Sequence, residues 1–445
     1  MLISVGNKKF NLGNTFILDI FGTKLKERSL SLPDFWSCYF TGGVIDHLEE
    51  RHHHIVIYAL AFLFNMGWVL TISLMPLYLD YLGYKGAGIG ILSSGRTIFA
   101  AIAAIIAGRI SDLYGYRRPI SLSLILFSLL GGLLYLKESP KIVAISYPLM
   151  GLCFGLFNTP TTSLLSEISP SGSMASSFAI FYSITNLAGI ISSNLSGLLA
   201  GSFGYKYIFL SASSIAILSL LFVSRTPSKK RIAKEGIRLM EILRGSKSLD
   251  KMFYVFLAGM LFHGFSLMTI WPFFALYAKK GIGLSEPEVG LILSMRSLGL
   301  LLTLMIWGRI SDKIGSSAMI FLHVLVSSFV WVVYPFSPNL VIAALVIGIN
   351  GVVGAMDMPA RRSVAAEFSD SRIRATAMGL LDFTSGIASS VGFIFGGFLW
   401  DIAGMRIPFI VASLTNGIGA FLLFLVKRKR EQERIIPTPF LPSEK

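Results

Sequence analysis

Twelve stretches of this chain are apolar for long enough to cross a bilayer, and at that length each can cross only as a helix. Hydrocarbon offers no partner to a backbone amide, so a spanning segment must close its own hydrogen bonds. The runs fall at about 55–79, 89–107, 120–136, 142–165, 178–200 and 207–223, then at 252–277, 289–307, 318–334, 341–360, 375–400 and 407–426. Twelve spans of about 20 residues need roughly 240 positions, and the chain of 445 residues is 53% hydrophobic. Charged residues make up 14%, well under the roughly 25% of a soluble protein, and mean hydropathy is +0.69. The expected fold class is an all-α membrane protein with twelve transmembrane helices. Its two cysteines, Cys38 and Cys153, exclude a disulfide scaffold and a four-cysteine metal site.

A net charge of +15 would suggest nucleic-acid binding in a soluble chain, but its distribution argues for a membrane. Of the 39 Lys and Arg, 30 lie in the N-terminal segment, every second loop after it and the C-terminal tail; 7 lie in the alternate loops and 2 inside spans. The positive-inside rule then puts both termini in the cytoplasm. No nucleic-acid partner is expected. The organisation reads as a cytoplasmic segment 1–54, a six-helix bundle 55–223, a basic linker 224–251, a second bundle 252–426 and a tail 427–445. The linker carries nine basic residues, and 231–243 is patterned as an amphipathic helix for the membrane surface. No apolar run before Ile55 is long enough for a signal peptide, so the first span is expected to direct its own insertion. His52, His53 and His54 lack supporting ligands and read as a polar flank, so no metal or cofactor is expected.

A shift of 200 residues superposes the halves. Gly108, Arg109, Ile110, Ser111, Asp112 and Gly115 recur as Gly308, Arg309, Ile310, Ser311, Asp312 and Gly315, and the same shift pairs Arg96 with Arg296, Glu167 with Glu367 and Gly204 with Gly404. One duplication accounts for a single offset. A six-helix unit repeated in the same orientation is the architecture of transporters whose two bundles rock about a site at the bilayer midplane.

The repeated loop resembles the signature of the major facilitator superfamily: Gly108, Asp112, Gly115, Arg117 and Arg118 stand in its positions, with Leu113 where the family prefers a basic residue. In the second half Gly308, Asp312, Lys313 and Gly315 match, and Ser316 and Ser317 replace the basic pair. The resemblance covers about 55–426 and implies two six-helix bundles. Gly108 and Gly115 are expected to let a short turn pass close to a neighbouring helix. The resemblance implies that Asp112 sits at the amino terminus of the eleventh helix, near 371–375, where free amides and the helix dipole favour an anion, and there latches the outward-open state. It also implies that Glu167 and Glu367 are rim acids, with Arg117, Arg118, Arg372 and Arg374 as available partners. Ordinary surface solvation is the bland alternative for these rim charges. A second family signature, the glycine-proline motif of the fifth helix, is incomplete here: Gly189 and Gly197 fit, while Ser193, Asn194, Ser196 and Leu198 replace the rest. Its duplicate keeps Gly392, Gly396 and Gly397.

Ionisable groups inside a membrane are expensive and mark function by default. The family arrangement places helices one, four, seven and ten around the cavity. On those, Asn65, Asn158, His263 and Asn350 are candidate substrate contacts, though helix-to-helix bonding explains them about as well. Arg96 and Arg296, at matched depth, read either as substrate contacts or as structural partners of a buried acid. His323 lies on helix nine, outside the cavity, and is left out of the site. Charges without a mate in the other half are candidates for proton coupling. Asp382 faces Tyr182 across the repeat, and Asp357 faces Asn158 when Pro160 and Pro359 are aligned. Asp382 is expected to be buried, either as a proton carrier or as the partner of Arg96, and Asp357 also fits a plain ion pair with Arg361.

These features read as a cell-membrane secondary transporter that moves a small molecule by alternating access, with protons as the coupling ion and export as the direction, acting as a monomer in the bilayer. Import of sugars or organic anions is the alternative within transport, and a non-transporting receptor or scaffold the alternative outside it. No ATP-binding loop and no Ser/His/Asp, His-Glu or multi-Cys constellation is present, which argues against ATP drive and against an enzyme.

Overall fold

The structure, a computed structural model, describes residues 2–5, 8–11, 48–169, 174–226, 249–369 and 374–435. Cys38 and the amphipathic stretch 231–243 lie outside them. Residues 1–51 and 52–445 form two compact units. In the first, β1 (Leu2–Val5) pairs antiparallel with β2 (Lys8–Asn11), Ile3 opposite Phe10. Strands of four residues alternate too briefly to stand out from a polar flank, and the sequence pattern assigns none there.

The second unit is helical. Its first bundle comprises α1 (Leu48–Ser73), α2 (Met75–Tyr81), α3 (Gly86–Tyr114), α4 (Arg117–Leu136), α5 (Pro140–Ile168), α6 (Met174–Phe203) and α7 (Lys206–Val223). The other bundle comprises α8 (Lys251–Ile270), α9 (Phe273–Lys280), α10 (Glu286–Ile314), α11 (Ser316–Val333), α12 (Leu340–Gly354), α13 (Asp357–Glu367), α14 (Arg374–Ala403) and α15 (Ile407–Ile435). Three spans are therefore broken helices. The first divides between α1 and α2 at Leu74, just ahead of Pro76, and the seventh between α8 and α9 at Trp271 and Pro272. Proline lacks the N–H that would continue the ladder. The tenth divides at Ala355 and Met356. Among the described residues eleven helical segments are long and apolar enough to cross a membrane, and α12, at 15 residues, is short for a crossing on its own.

Backbone geometry carries the duplication independently of side chains. Six glycines among the described residues have positive φ, and they form three pairs at the same offset: Gly83 and Gly283 (88° and 87°), Gly115 and Gly315 (83° and 90°), and Gly204 and Gly404 (97° and 96°). A side chain would strain each of these turns. Gly115 and Gly315 end α3 and α10 and reverse the chain within one or two residues. The face carrying these two turns is called the loop face below, and the opposite one the far face.

Close backbone contact organises the packing. Within the bundles, a Cβ on Gly151 would collide with the Arg96 carbonyl, and one on Gly351 with the Arg296 carbonyl. Between the bundles the partners exchange across a pseudo-two-fold axis. Gly90 of α3 abuts the Phe393 carbonyl of α14, while Gly290 of α10 abuts the Ser193 carbonyl of α6. Polar contacts close the far face. Lys280 Nζ lies 2.5 Å from Asp80 Oδ1, and the Gly86 and Ala87 amides donate to the two Asp401 carboxylate oxygens at 2.7 and 2.8 Å. Tyr205 donates to Glu286 at 3.3 Å. Burial, with Glu286 adding, holds the Tyr205 phenol protonated far above its ordinary range.

Towards the loop face the bundles part. Cβ atoms built on Gly108, Gly308, Gly379 and Gly386 would meet nothing within 4 Å. The close approach expected at Gly108 is not found, since nothing lies within 4 Å of a Cβ built there. Gly115 is required by its turn geometry instead.

Two glycines of one bundle should therefore respond in opposite ways. Gly151→Ala places a methyl on an immovable carbonyl and should cost about 1–3 kcal/mol of stability. Gly108→Ala adds its methyl in open space and should be neutral or stabilising by up to about 1 kcal/mol. Thermal unfolding of the purified protein followed by fluorescence checks both, and equal losses would overturn the contact assignment.

Candidate functional site

Where the bundles part, a cavity of about 320 Å³ opens between them, within the usual range for small-molecule sites. The first bundle contributes Trp68, Ile72, Ser73 and Pro76, the Ser93 and Arg96 turn of α3, Tyr147 of α5 and Ser193 of α6. From the second come Trp271, Pro272, Phe274 and Ala275 at the break of the seventh span, with Leu293, Arg296, Ser297, Ile347 and Phe393. The duplication thus sets Arg96 and Arg296 on opposite walls of one space.

Each guanidinium lies against an aromatic face. Arg96 Cζ is 5.6 Å from the Trp68 ring centroid and 5.9 Å from that of Tyr147. Arg296 Cζ is 4.6 Å from Trp271. Such stacking stabilises a cation where water is scarce. The two arginines differ in their hydrogen bonding. The Arg296 Nε–H donates to Asn350 Oδ1 at 3.3 Å, which orients that fork. Arg96 Nε is buried without a hydrogen-bond partner among the described residues. That nitrogen is closed off from the cavity, so what Arg96 presents to it is the rest of the guanidinium.

Other sequence candidates are placed elsewhere. Asn65 donates to the Ala61 carbonyl of its own helix at 2.8 Å, and Asn158 is half-buried; neither lines the cavity. His263 is buried away from the cavity, 2.9 Å from Asn416 and 3.2 Å from His323. The family arrangement of the seventh helix placed it at the cavity, but its side of α8 packs on α15, where the neighbouring Ser266 bonds Thr415 at 2.6 Å. The bulk of the wall, namely Tyr147, Trp271 and Phe393, was not anticipated. A signal existed for two of these, since Tyr147 precedes Pro148 and Trp271 precedes Pro272 inside apolar runs.

The candidate acids also divide. Asp357 is held by Arg361, whose Nε–H donates to Oδ1 at 2.9 Å while a second guanidinium nitrogen meets Oδ2. Asp382 is exposed on α14 beside Phe383, itself 66% exposed. The expected burial of Asp382 and its pairing with Arg96 are not found: Arg96 points into the cavity between Trp68 and Tyr147.

At the loop face, Asp112 is half-buried, and the chain it was expected to meet lies largely outside the described residues, as do Arg372 and the side chains of Asp312 and Arg374. The first rim pairing differs from expectation. Glu167 accepts from Tyr116 at 2.7 Å, whereas Arg117 donates to the Thr226 carbonyl at 2.6 Å and Arg118 lies over Tyr114 at 4.7 Å. Glu367 accepts from Ser363 at 3.3 Å and lies 4.0 Å from Arg430, which also donates to the Glu367 carbonyl at 2.8 Å. The side chain of His52 lies outside the described residues, and His54 Nε2 is 3.4 Å from Ser169 Oγ.

Comparison with known proteins agrees with this architecture. The chain is 22% identical over 377 residues to quinolone resistance protein NorA of Staphylococcus aureus, a match covering 84% of this chain and 96% of that one. It is 21% identical over 397 residues to multidrug resistance protein 2 of Bacillus subtilis, covering 86% and 97%. Among solved structures, a bacterial homologue of the human lysosomal transporter Spinster, crystallised inward-facing and unoccupied, superposes with a TM-score of 0.71 at 16% identity, over 88% of this chain and all of that one. The nucleoside transporter NupG gives 0.72 at 12% identity, over 84% and 99%. The sequence profile of the Major Facilitator Superfamily matches residues 57–268 and again 256–444. With the profile matching once per bundle, two related bundles of membrane-spanning helices and a cavity between them, this chain is a multi-pass membrane transporter of the Major Facilitator Superfamily.

Proposed function

We propose that the protein exports small amphiphilic molecules from the cell by alternating access, driven by an inward proton gradient. The observation that carries this reading is the central cavity with Arg96 and Arg296 on facing walls, closed at the far face and parted towards the loop face. Aromatic and aliphatic side chains cover most of the wall, which suits a flat apolar body, and the two guanidinium groups lining it suit a carboxylate or other acidic acceptor on that body. The names of the relatives in Staphylococcus aureus and Bacillus subtilis support drug or metabolite efflux. The substrate passes through unchanged, so no bond chemistry is assigned.

The loop charge count supports a cell-membrane location with both termini and the loop face cytoplasmic, the protein acting as a monomer. Rocking the bundles would then break the Asp80–Lys280, Asp401 and Tyr205–Glu286 contacts and close the loop face, where Asp112 supplies an anion for the start of α14. Each exposed contact is worth about 1 kcal/mol or less, which suits two states of nearly equal energy. The remaining loop residues, Gly108, Gly115, Arg117, Arg118, Gly308, Asp312 and Gly315, with the rim charges Glu167, Glu367, Arg372 and Arg374, serve that gate. Import of an organic anion is the second reading, favoured by the two arginines sharing one space.

Direction is tested in everted membrane vesicles given a fluorescent quinolone. Export predicts accumulation inside the vesicles when their lumen is acid, and accumulation in right-side-out vesicles instead would favour import. Arg96→Lys keeps the charge but loses the planar fork and the fit between two rings. Stacking of this kind is worth about 0.5–2 kcal/mol, so affinity should fall by roughly twofold to thirtyfold in equilibrium binding, with yield unchanged. Unaltered affinity would remove Arg96 from the site. Asp112→Asn should slow transport while leaving binding in place, since a charge at a helix terminus contributes about 0.3–1 kcal/mol. Normal transport by that variant would reduce the loop to a turn. Impermeant labelling of a cysteine placed at Lys229 or Pro439 in intact cells should fail, and labelling at either position would reverse the topology.

A further inference from the structure

The second bundle buries a titratable cluster that the cavity does not use. His263 of α8, His323 of α11 and Asp357 of α13 bring ligand atoms within 4.8 Å of one another, and the two histidines are 1% and 4% exposed. Hydrogen bonds fix both tautomers. His263 Nδ1 is 2.9 Å from Asn416 Oδ1. The Asn416 amide nitrogen donates to the Val324 carbonyl at 2.8 Å and to Ser328 Oγ at 3.0 Å, so the oxygen is the end that faces the ring. His323 Nδ1 is 2.8 Å from the Val353 carbonyl. Both partners are acceptors, so both Nδ1 atoms carry hydrogen, and in two neutral rings both Nε2 atoms would be bare lone pairs. Those Nε2 atoms face each other at 3.2 Å. Two lone pairs opposed at that distance repel, and a proton between them turns the contact into a hydrogen bond.

We propose that His263 and His323 form a two-imidazole site that holds one proton between their Nε2 atoms and is the proton-binding site of the transport cycle. The charged groups around it are Asp357, Arg361 and Arg296. Asp357 faces the pair while its oxygens are held by Arg361, so the cluster bears one negative charge against the shared proton and the guanidinium. A divalent ion in place of the proton would add a further positive charge to a buried site already holding two arginines. Removing the proton removes the attraction between α8 and α11, and α8 leads directly into the Trp271–Pro272 break that lines the cavity, which is how occupancy would reach it.

The duplication separates scaffold from addition. In the first bundle Ser123 donates to the Cys153 carbonyl at 2.6 Å, the same bond that His323 makes to Val353 200 residues later. Ser213 to the Ser128 carbonyl and Ser413 to the Ser328 carbonyl are a second matched pair, both at 2.7 Å. A hydroxyl therefore suffices for the structural bond, and the imidazole brings a second nitrogen the fold does not need. Leu63 and Ala216 stand 200 residues before His263 and Asn416, and Asp357 falls on Phe157 at that shift or on Asn158 when Pro160 and Pro359 are aligned; there Phe64 and Phe157 stack with centroids 3.8 Å apart. The polar chain belongs to one bundle alone.

The proposal rests on the proton-coupled reading above, and its test separates the two. The variant H263L/H323S/N416A copies the first bundle at all three positions. Potentiometric titration of the purified full chain from about pH 9 to about pH 4, a window that brackets the ordinary histidine range, should show the wild type taking up one proton more per chain than this variant. A difference of none or of two overturns the shared-proton site. Should the variant not fold, ¹⁵N spectra of histidine-labelled wild type decide instead: two Nε2 signals at intermediate shifts, with Nδ1 protonated on both rings, support the pair, and two fully unprotonated Nε2 signals sink it. Stoichiometric binding of zinc that H323S abolishes would also overturn it, by making the pair a metal site. If the one-proton difference holds but an imposed pH gradient drives no transport, the proton-coupled reading of the function fails and the site stands.

Discussion

Lipid tails are as apolar as leucine, so helices in a bilayer gain nothing from hiding leucine from their surroundings, and their association must come from close packing and internal hydrogen bonds. In this protein that requirement is met by backbone against backbone. Gly90 on the Phe393 carbonyl and Gly290 on the Ser193 carbonyl bring the bundles together in the far half of the membrane. Gly151 and Gly351 do the same inside each bundle. A Cβ at any of these positions would separate the helices. Where such contacts stop, the bundles diverge and the cavity begins, so the distribution of glycine along four helices decides where a ligand can enter.

The cavity follows from that divergence. Two arginines deep in a membrane would be costly if they faced lipid. Placed on facing walls and laid over Trp68, Tyr147 and Trp271, they are partly compensated by the aromatic faces. Asn350 engages one of the pair, and the Nε of the other is buried without a hydrogen-bond partner among the described residues. The far-face contacts are a different kind of interaction, made of short polar pairs near water, weak one by one and reversible. Fixed packing within the bundles, with glycine contacts and short polar pairs joining the bundles on the far face only, fits a transporter whose bundles rock against each other.

Duplication supplied a symmetric scaffold, and the chemistry lies in the departures from it. The positive-φ turns and the Ser–carbonyl bonds repeat almost atom for atom between the halves. Against that background, the histidines, Asn416, Asp357 and Arg361 replace an aromatic core with a buried polar chain. Apolar side chains would have filled this space at lower cost, as Phe64 and Phe157 do in the first half. Retaining ionisable groups there is intelligible when they change charge during function.

Much of the architecture was legible along the chain, because the bilayer turns composition directly into helices and a constant offset reveals duplication whatever the fold. Arg96 and Arg296 could be singled out as intramembrane charges, and the turns at Gly115 and Gly315 from their spacing. Which way a side chain faces was beyond a one-dimensional pattern. His263 has the periodicity of a cavity residue, yet its face packs on α15. Asp382 sits as many residues into its helix as a buried acid would, and is exposed because the face of α14 that it shares with Phe383 is not the face that packs. His323 lies on a helix outside the cavity and still meets His263, since three helices distant in sequence converge there. Hydrophobicity and local periodicity are properties of single segments, and the sequence therefore determined the apolar spans and their symmetry. Facing, pairing and cavity shape depend on how rotated helices pack backbone to backbone, and only the tertiary structure decided those.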